Sequence, residues 1–223
     1  MQAIVTESGC ASMPVGRARS RGFAQLAVWR KSWASSFMPW ILLAAASAWA
    51  RLPEDEDGLE QAARAYYGAA HLLPVAGSQA AIQALPRLRA PARVGVLSPG
   101  YAEHAAAWRA AGHAVRALAA DEVDRAIPAC DVLVLIHPNN PTGATISRKN
   151  LLEIAEVAIA RDLVVISDEI YEKLTYIGEH TCVPSLPGMR DRTILLNGFS
   201  KSHAMTGWRV GYAAGNPDFI AAM

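Results

Sequence analysis

The sequence of 223 residues has little of what marks nucleic-acid-binding, disulfide-bonded or membrane-spanning proteins. Its 21 Lys and Arg residues are balanced by 20 Asp and Glu residues, so no broad basic surface is available to hold a phosphate backbone. Its three cysteines, Cys10, Cys130 and Cys182, are widely separated and show no paired spacing with histidine, which argues against a disulfide framework and a zinc site. We therefore expect no nucleic-acid partner, no bound metal and a reducing, cytoplasmic location.

The first part of the chain differs in composition from the rest. Residues 1–50 carry five basic residues and one acidic residue, and they hold four of the six tryptophans without a sustained helical or strand period. An apolar run over 37–46, followed by small residues, resembles a secretory signal, but Pro39 interrupts it and it is shorter than the roughly 20 residues that span a bilayer. We predict a poorly ordered extension over residues 1–45 and no membrane segment, with a secretory signal as the alternative.

From residue 59 onward, short apolar runs alternate with amphipathic stretches, which is the pattern of strands joined by crossover helices. The runs 131–136 and 163–167 are almost entirely apolar, as strands are when helices cover both faces of a parallel sheet. We predict an α/β fold, a mostly parallel sheet flanked by helices, in one domain over residues 46–223. The predicted helices cover 59–67, 78–85, 101–111 and 147–160, and the predicted strands cover 93–98, 114–118, 131–136, 163–167, 192–196 and 208–214.

Polar side chains follow three of these predicted strands at the edge where ligands bind in open parallel sheets. Asn140 comes shortly after the third predicted strand, and Asp168 and Tyr171 come directly after the fourth. Lys201 follows the fifth, and Arg209 lies eight residues further along. An amide, a carboxylate, a phenol and an amine are thus expected at one edge of the sheet. Together these groups are suited to hold a cationic aromatic ring that carries a phosphate.

These segments resemble the fold-type I pyridoxal phosphate (PLP) enzymes of the class I and II aminotransferase superfamily. The resemblance covers roughly residues 51–223, the family's large cofactor-binding domain, and it implies PLP as the cofactor and an amino acid as the substrate. We expect the family's small C-terminal domain, which holds its main substrate-carboxylate arginine, to be absent from this chain. The segments that carry the resemblance are Asn140-Pro141-Thr142-Gly143, Asp168-Glu169-Ile170-Tyr171, Ser200-Lys201 and Met205-Thr206-Gly207-Trp208-Arg209-Val210-Gly211-Tyr212.

The resemblance implies three catalytic residues. Lys201 would bind the aldehyde carbon of the cofactor and then move a proton between the substrate and the cofactor. Asp168 would keep the pyridine nitrogen protonated, so that the ring withdraws electrons. Tyr171, together with Asn140, would hydrogen-bond the 3′ oxygen of the ring. The alternatives from residue type alone are a solvated lysine at 201, a helix cap at 168, and turn or packing residues at 171 and 140.

The resemblance also implies a phosphate site. Gly77, Ser78 and Gln79 stand at the start of a predicted helix, where backbone N–H groups and a hydroxyl would donate to the phosphate. Ser200 would add a contact, and Arg209 would complete the site with a two-pronged contact that lysine does not reproduce. A plain helix cap is the alternative for the glycine, serine and glutamine.

Three further positions follow from the resemblance. Tyr101 lies where the family stacks an aromatic ring on the cofactor, with a packing role as the alternative. Gly198 stands where many members carry serine, which leaves one phosphate donor in question. Family members are homodimers, and Tyr67 is the best match to the tyrosine that reaches the phosphate site of the partner subunit. Tyr66 is the alternative for that contact, and either tyrosine would otherwise pack on a helix face.

Two segments of the chain resemble different members of the superfamily. Residues 48–118 look like threonine-phosphate decarboxylase of the cobalamin pathway, and residues 140–223 look like an aspartate-type class I aminotransferase. Because the predicted lysine and aspartate lie in the second segment, we expect a PLP-dependent aminotransferase that passes an amino group between an amino acid and a 2-oxo acid. Decarboxylation of threonine phosphate and PLP binding without turnover are the alternatives.

Overall fold

A computed structural model describes residues 58–119 and 127–223, so the predicted extension over 1–45 lies outside the described residues. Within the described ranges the chain forms one seven-stranded sheet. The strands, numbered in chain order, are His71–Val75 (β1), Arg93–Leu97 (β2), Ala114–Leu118 (β3), Val132–Ile136 (β4), Val164–Asp168 (β5), Thr193–Gly198 (β6) and Gly211–Gly215 (β7).

Helices flank this sheet. The α-helices of the described residues are Leu59–Tyr67 (α1), Ser78–Ala84 (α2), Ala102–Ala110 (α3), Arg148–Ala160 (α4) and Pro217–Ala222 (α5). The longest, α4, has 13 residues and is capped by Ser147, whose Oγ accepts a hydrogen bond from the Asn150 backbone N–H. Over these same parts of the chain, no helix has the length and apolar character needed to cross a bilayer.

The sheet is mostly parallel, which confirms the predicted α/β class. Its strand order is β1-β7-β6-β5-β4-β2-β3. The neighbours from β3 through β2, β4 and β5 to β6 are parallel, whereas β7 runs antiparallel to both β6 and β1. Strands β4, β5 and β6 therefore end at the same edge of the sheet, where the predicted polar residues follow them.

Strand β4 shows why the central strands are apolar along their whole length. Leu133 and Leu135 pack in one buried cluster with Leu151 of α4. Val132 and Val134 point to the other face and pack in a second cluster that includes Trp108 of α3. Successive side chains of a strand point to opposite faces, so a strand covered on both faces needs apolar residues at every position.

Two parts of the predicted strand set differ from the structure. Strand β1 was not predicted, because it contains Pro74; it lies at the edge of the sheet, where proline is tolerated. The strand predicted over 208–214 begins only at Gly211, so its predicted start is wrong. Residues Thr206–Trp208 form a 3₁₀ turn and Arg209 has φ 54°, a left-handed conformation that interrupts an extended strand.

A buried group of polar side chains holds the segment after β5 against the sheet. Glu169 is fully buried and accepts hydrogen bonds from Ser167 Oγ at 2.8 Å and from the Val183 backbone N–H at 2.9 Å. Its other carboxylate oxygen accepts from His180 Nε2 at 2.6 Å. The ring of His180 stacks on that of His137, with the centroids 4.8 Å apart. These contacts hold the backbone that follows β5 at the edge of the sheet where the predicted polar residues lie.

We expect the free energy of unfolding to fall as the pH drops from about 6.5 to about 4, in part because of His137. Burial, and secondly the nearby His180, lower the pKa of His137 from 6.5 to about 4, so the unfolded chain binds the proton more readily in this window. His137→Asn keeps an acceptor for the Ile146 backbone N–H, which His137 Nδ1 provides at 3.0 Å. This substitution should remove about 2 to 3 kcal/mol of the acid-induced loss, at about 1.4 kcal/mol per pKa unit.

Urea unfolding at neutral pH and near pH 4.5 measures this contribution. His71→Asn is the matched control, because His71 is an exposed histidine of the edge strand β1. An acid-induced loss that is the same in His137→Asn as in the unmodified chain would contradict the prediction.

Candidate functional site

A cavity of about 190 Å³ lies at the carboxyl ends of β4, β5 and β6. Its volume is far above the roughly 10–15 Å³ that one water molecule needs. Ile136, Ile170 and Thr206 form part of its wall. The structure brings nine of the ten predicted cofactor-binding residues together on this wall, and these nine are Ser78, Gln79, Tyr101, Asn140, Asp168, Tyr171, Ser200, Lys201 and Arg209.

Asp168 is the last residue of β5, and its carboxylate is almost completely buried, at 3% exposure. One carboxylate oxygen accepts a hydrogen bond from His104 Nε2 at 2.8 Å, and the other accepts from the Ile170 backbone N–H at 3.3 Å. The two donors hold the carboxylate in one orientation in the cavity wall.

His104 was not identified from the sequence. It lies in α3, is 1% exposed, and comes three residues after Tyr101, which precedes the first residue of that helix. Residues three apart on a helix are neighbours, and here the two rings meet edge to face with their centroids 6.3 Å apart. The sequence feature that could have identified His104 is its position, one helical turn after Tyr101, the predicted stacking aromatic. Its partner, Asp168, is 64 residues away along the chain and was not evident from spacing.

Lys201 lies in the turn that directly follows β6, with its side chain exposed. Its Nζ lies 5.7 Å from the centroid of the Tyr171 ring. The turn is closed by a hydrogen bond from the Ala204 backbone N–H to the Lys201 carbonyl, and Thr206 Oγ1 donates to the Ser200 carbonyl at 2.8 Å. These bonds place the amine next to the phenol on the cavity wall.

The predicted phosphate-binding side chains form the other part of the wall. Ser78 and Gln79 are the first two residues of α2, and Arg209 comes from the turn before β7. Arg209 Nη1 donates to the Thr206 carbonyl at 3.1 Å. The left-handed backbone of Arg209 is uncommon for a residue other than glycine, and such strain concentrates at functional sites. The guanidinium of Arg209 and the hydroxyls of Ser78 and Ser200 here form a donor set suited to an anion.

Two glycines provide space at this site. Gly77 has φ +76°, and a Cβ atom there would lie 2.6 Å from Arg209 Nη2. The backbone N–H of Gly77 donates to the Val75 carbonyl at 2.7 Å and is engaged within the chain, so the structure assigns Gly77 a role in admitting the guanidinium. A Cβ atom on Gly198 would lie 2.7 Å from Gly211 Cα, so the serine that the resemblance implied does not fit at this position.

We expect Gly77→Ala to weaken the binding of inorganic phosphate and of PLP by about 10- to 100-fold. The new methyl group displaces the guanidinium, and a hydrogen bond to a charged group contributes about 1.5–3 kcal/mol. Gly112→Ala is the matched control, because Gly112 also has a positive φ, +86°, but no atom of the residues that the structure describes lies within 4 Å of the added carbon. Both variants add a methyl group at a glycine of positive φ, so a loss of affinity of equal size in both, measured by equilibrium titration, would contradict the assigned role.

Tyr67 is engaged within its own chain. Its hydroxyl accepts from Asn197 Nδ2 at 2.8 Å, donates to Glu172 Oε1 at 3.0 Å and lies 3.0 Å from the Tyr212 hydroxyl. Burial, and then the neighbouring Tyr212 and Glu172, raise the pKa of Tyr67 well above 10, so this phenol stays protonated. Tyr66, the alternative, accepts a hydrogen bond from Lys173 Nζ. The contact of either tyrosine with a partner subunit stays a prediction.

Comparisons with known proteins identify one family. The family model described as aminotransferase class I and II matches residues 24–223. The chain is 46% identical over 176 residues to threonine-phosphate decarboxylase of Pseudomonas aeruginosa, covering 79% of this chain and 52% of that protein. It is 57% identical over 94 residues to the bifunctional aspartate aminotransferase and glutamate/aspartate-prephenate aminotransferase of Petunia hybrida, covering 41% of this chain and 19% of that protein.

Solved structures show the same similarity. The aspartate aminotransferase of Thermus thermophilus with maleate superposes on the chain with a TM-score of 0.65 and 34% identity. The match covers 71% of this chain and 46% of the Thermus thermophilus chain. The chain spans about half the length of the Pseudomonas aeruginosa decarboxylase, whose match is the longest of those described above.

Proposed function

The chain belongs to the aminotransferase class I and II family, and from this premise we propose that it is the cofactor-binding part of a PLP-dependent aminotransferase that passes an amino group between an amino acid and a 2-oxo acid. Membership of the fold-type I superfamily, expected from the sequence, is confirmed. PLP, the cofactor expected from the sequence, is confirmed as the cofactor of this family.

One observation carries the proposal: Asp168 and Lys201 line the same cavity. The residues around them fit PLP, because a buried carboxylate, an accessible amine and an arginine next to a glycine match its ring nitrogen, its aldehyde and its phosphate in charge. When bound, PLP supplies an aldehyde carbon for an amine and a protonated ring that stabilises negative charge on the substrate carbon.

The side chains then have separate tasks. Asp168, which His104 orients, would accept the hydrogen bond of the protonated ring nitrogen. Lys201 would hold the cofactor through its aldehyde carbon, with loss of one water molecule, and its amine would serve as the base that moves a proton between the substrate carbon and the cofactor. Tyr171 and Asn140 hydrogen-bond the ring oxygen and so set the proton affinity of the nitrogen beside it.

The residues at the phosphate end of the cavity position the cofactor through their charge and hydrogen bonds. Arg209, Ser78 and Ser200 hold the phosphate, which orients the ring between the carboxylate and the amine. Tyr101 is 37% exposed and lines the cavity, so its ring would pack on one face of the cofactor. Orientation matters for the choice of reaction, because the substrate bond that lies perpendicular to the ring is the one that breaks.

A second reaction, decarboxylation of threonine phosphate, is favoured by one observation. The match to the Pseudomonas aeruginosa decarboxylase is 176 residues long and therefore extends beyond the 48–118 segment that resembled this subfamily. The two reactions share the cofactor and the amine and differ in the bond that breaks.

Three assays on the purified chain with PLP separate the proposals. We expect a covalent PLP adduct that borohydride makes permanent, and amino transfer from L-aspartate to 2-oxoglutarate. Release of carbon dioxide from threonine phosphate without amino transfer would favour the decarboxylase instead. A covalent adduct with neither reaction would indicate a PLP-binding unit without turnover, and the absence of any adduct would contradict all three proposals.

We also propose that the active protein is a cytoplasmic homodimer in which the Tyr67 hydroxyl exchanges its bonds to Asn197 and Glu172 for a contact with the phosphate site of the partner. The buried thiols Cys130 and Cys182 fit a reducing compartment. Sedimentation of the chain with and without PLP tests the dimer. If PLP binds equally well to a monomeric chain and to Tyr67→Phe, the proposed contact is wrong.

A further inference from the structure

Glu103 is a carboxylate beside the cavity to which the proposed reaction gives no task. It lies in the first turn of α3 and is half-buried. Its Oε2 accepts hydrogen bonds from Gln79 Nε2 at 3.0 Å and from Gln83 Nε2 at 3.4 Å, and both glutamines belong to α2. Glu103 therefore joins α2, whose first two residues line the phosphate end of the cavity, to α3, which follows Tyr101.

The bond to Glu103 determines which way the Gln79 amide points. An ionised carboxylate only accepts hydrogen bonds, so the NH₂ group of Gln79 must face Glu103. The amide oxygen of Gln79 then faces the other way, where it accepts a hydrogen bond from the Tyr101 hydroxyl at 3.3 Å. Without the carboxylate, the two ends of the amide become nearly equivalent and the bond to Tyr101 loses its fixed acceptor.

Two residues of this series of hydrogen bonds line the cavity, and both were predicted to bind the cofactor. Gln79 and Tyr101 line the cavity, whereas Glu103 does not. We propose that Glu103 is a positioning residue: it orients the Gln79 amide and through it holds the Tyr101 ring in place over the cofactor site. This inference rests on the proposed function for its consequence in cofactor binding, and on the hydrogen bonds alone for the arrangement itself.

The phenol of Tyr101 reports on the arrangement in the cofactor-free chain. Burial, and then the negative charge of Glu103, raise the pKa of Tyr101 above 10, with smaller contributions from Asp168 and Tyr171. The positive charge of Arg209 acts in the opposite direction. Removing the carboxylate takes away one cause of the increase, so the phenol should titrate at lower pH.

The first test is therefore a titration of the Tyr101 phenol in the absence of PLP. The ultraviolet difference between the chain and its Tyr101→Phe variant isolates this phenol among the six tyrosines. We expect Glu103→Ala to move its titration to lower pH. The matched control is Glu153→Ala, which removes a helix-surface carboxylate paired with Lys149 in α4. A Tyr101 titration unchanged by Glu103→Ala would overturn the proposed arrangement.

The second test is PLP affinity in a double-mutant cycle. We expect Glu103→Ala to weaken PLP binding by about 3- to 10-fold, the effect of losing one neutral hydrogen bond, and Glu103→Gln to recover part of the loss. In a Tyr101→Phe background, which lacks the hydroxyl, Glu103→Ala should change the affinity less than about 2-fold. Fully additive losses would overturn the positioning role and leave Glu103 as a simple tie between two helices.

The two proposals fail in different ways. If the unmodified chain forms no PLP adduct, the proposed function fails while the phenol titration still decides the arrangement. If the adduct forms at Lys201 and the affinity is the same in Glu103→Ala, only the positioning role fails.

Discussion

Lys201→Ala should abolish the covalent attachment of PLP to the chain and lower any amino transfer by at least about 10⁴-fold, the upper range of a general acid–base contribution. The amine is both the group that bonds to the aldehyde and the base that moves the proton, so its removal takes away two tasks at once. The neighbouring Tyr171 does not replace it, because a phenol forms no stable bond of this kind with an aldehyde. Binding of PLP without attachment should remain, because the phosphate and ring contacts of the cavity are unchanged.

Borohydride reduction followed by mass mapping measures the attachment directly. The chain has only four lysines, Lys31, Lys149, Lys173 and Lys201, so the modified position is identified from a few peptides. Lys149→Ala is the control, since Lys149 is an exposed residue of α4 that forms a surface pair with Glu153. A reduced adduct of normal yield in Lys201→Ala, on any other lysine, would contradict the assignment of the amine.

Asp168→Asn should lower amino transfer by about 10²- to 10⁴-fold while the covalent adduct at Lys201 still forms. The amide is close to the carboxylate in shape, so the cavity keeps its walls, but it carries no negative charge to hold a proton on the ring nitrogen. The substitution also takes the anionic partner away from buried His104, whose Nε2 donates to the carboxylate at 2.8 Å. A charge-assisted hydrogen bond is thereby replaced by a weaker neutral one.

The two variants therefore separate attachment from electron withdrawal. Asp162→Asn is the matched control for Asp168→Asn, because the Asp162 side chain is 95% exposed and pairs with Arg192 on the surface. The expected pattern is a normal adduct with slow transfer for Asp168→Asn, and normal values of both for Asp162→Asn. Transfer that stays within about 3-fold of the unmodified chain in Asp168→Asn, less than about 1 kcal/mol, would rule out the assigned role of the carboxylate.

The helices and central strands were predictable because their signals are local. Helix α4 was expected at 147–160 and is Arg148–Ala160, and β4 was expected at 131–136 and is Val132–Ile136. Both depend on the spacing of apolar residues within one window of the chain. The strand predictions failed at two places. Strand β1 contains Pro74, which is unusual in a strand, and β7 begins after Arg209, whose left-handed backbone interrupts the extended conformation.

The kinds of groups at the candidate site, and their order along the chain, could be inferred from residue types alone. An amide, a carboxylate and an amine follow three successive apolar runs, and parallel strands in such a sheet end at one edge. The partners of these groups could not be inferred. The hydrogen bond from His104 to Asp168, the bonds of Glu103 to α2 and the clearance that Gly77 leaves for Arg209 all join segments far apart in sequence. Such contacts depend on the pairing of strands and the packing of helices across the sheet, and a local pattern of residues contains no information about either.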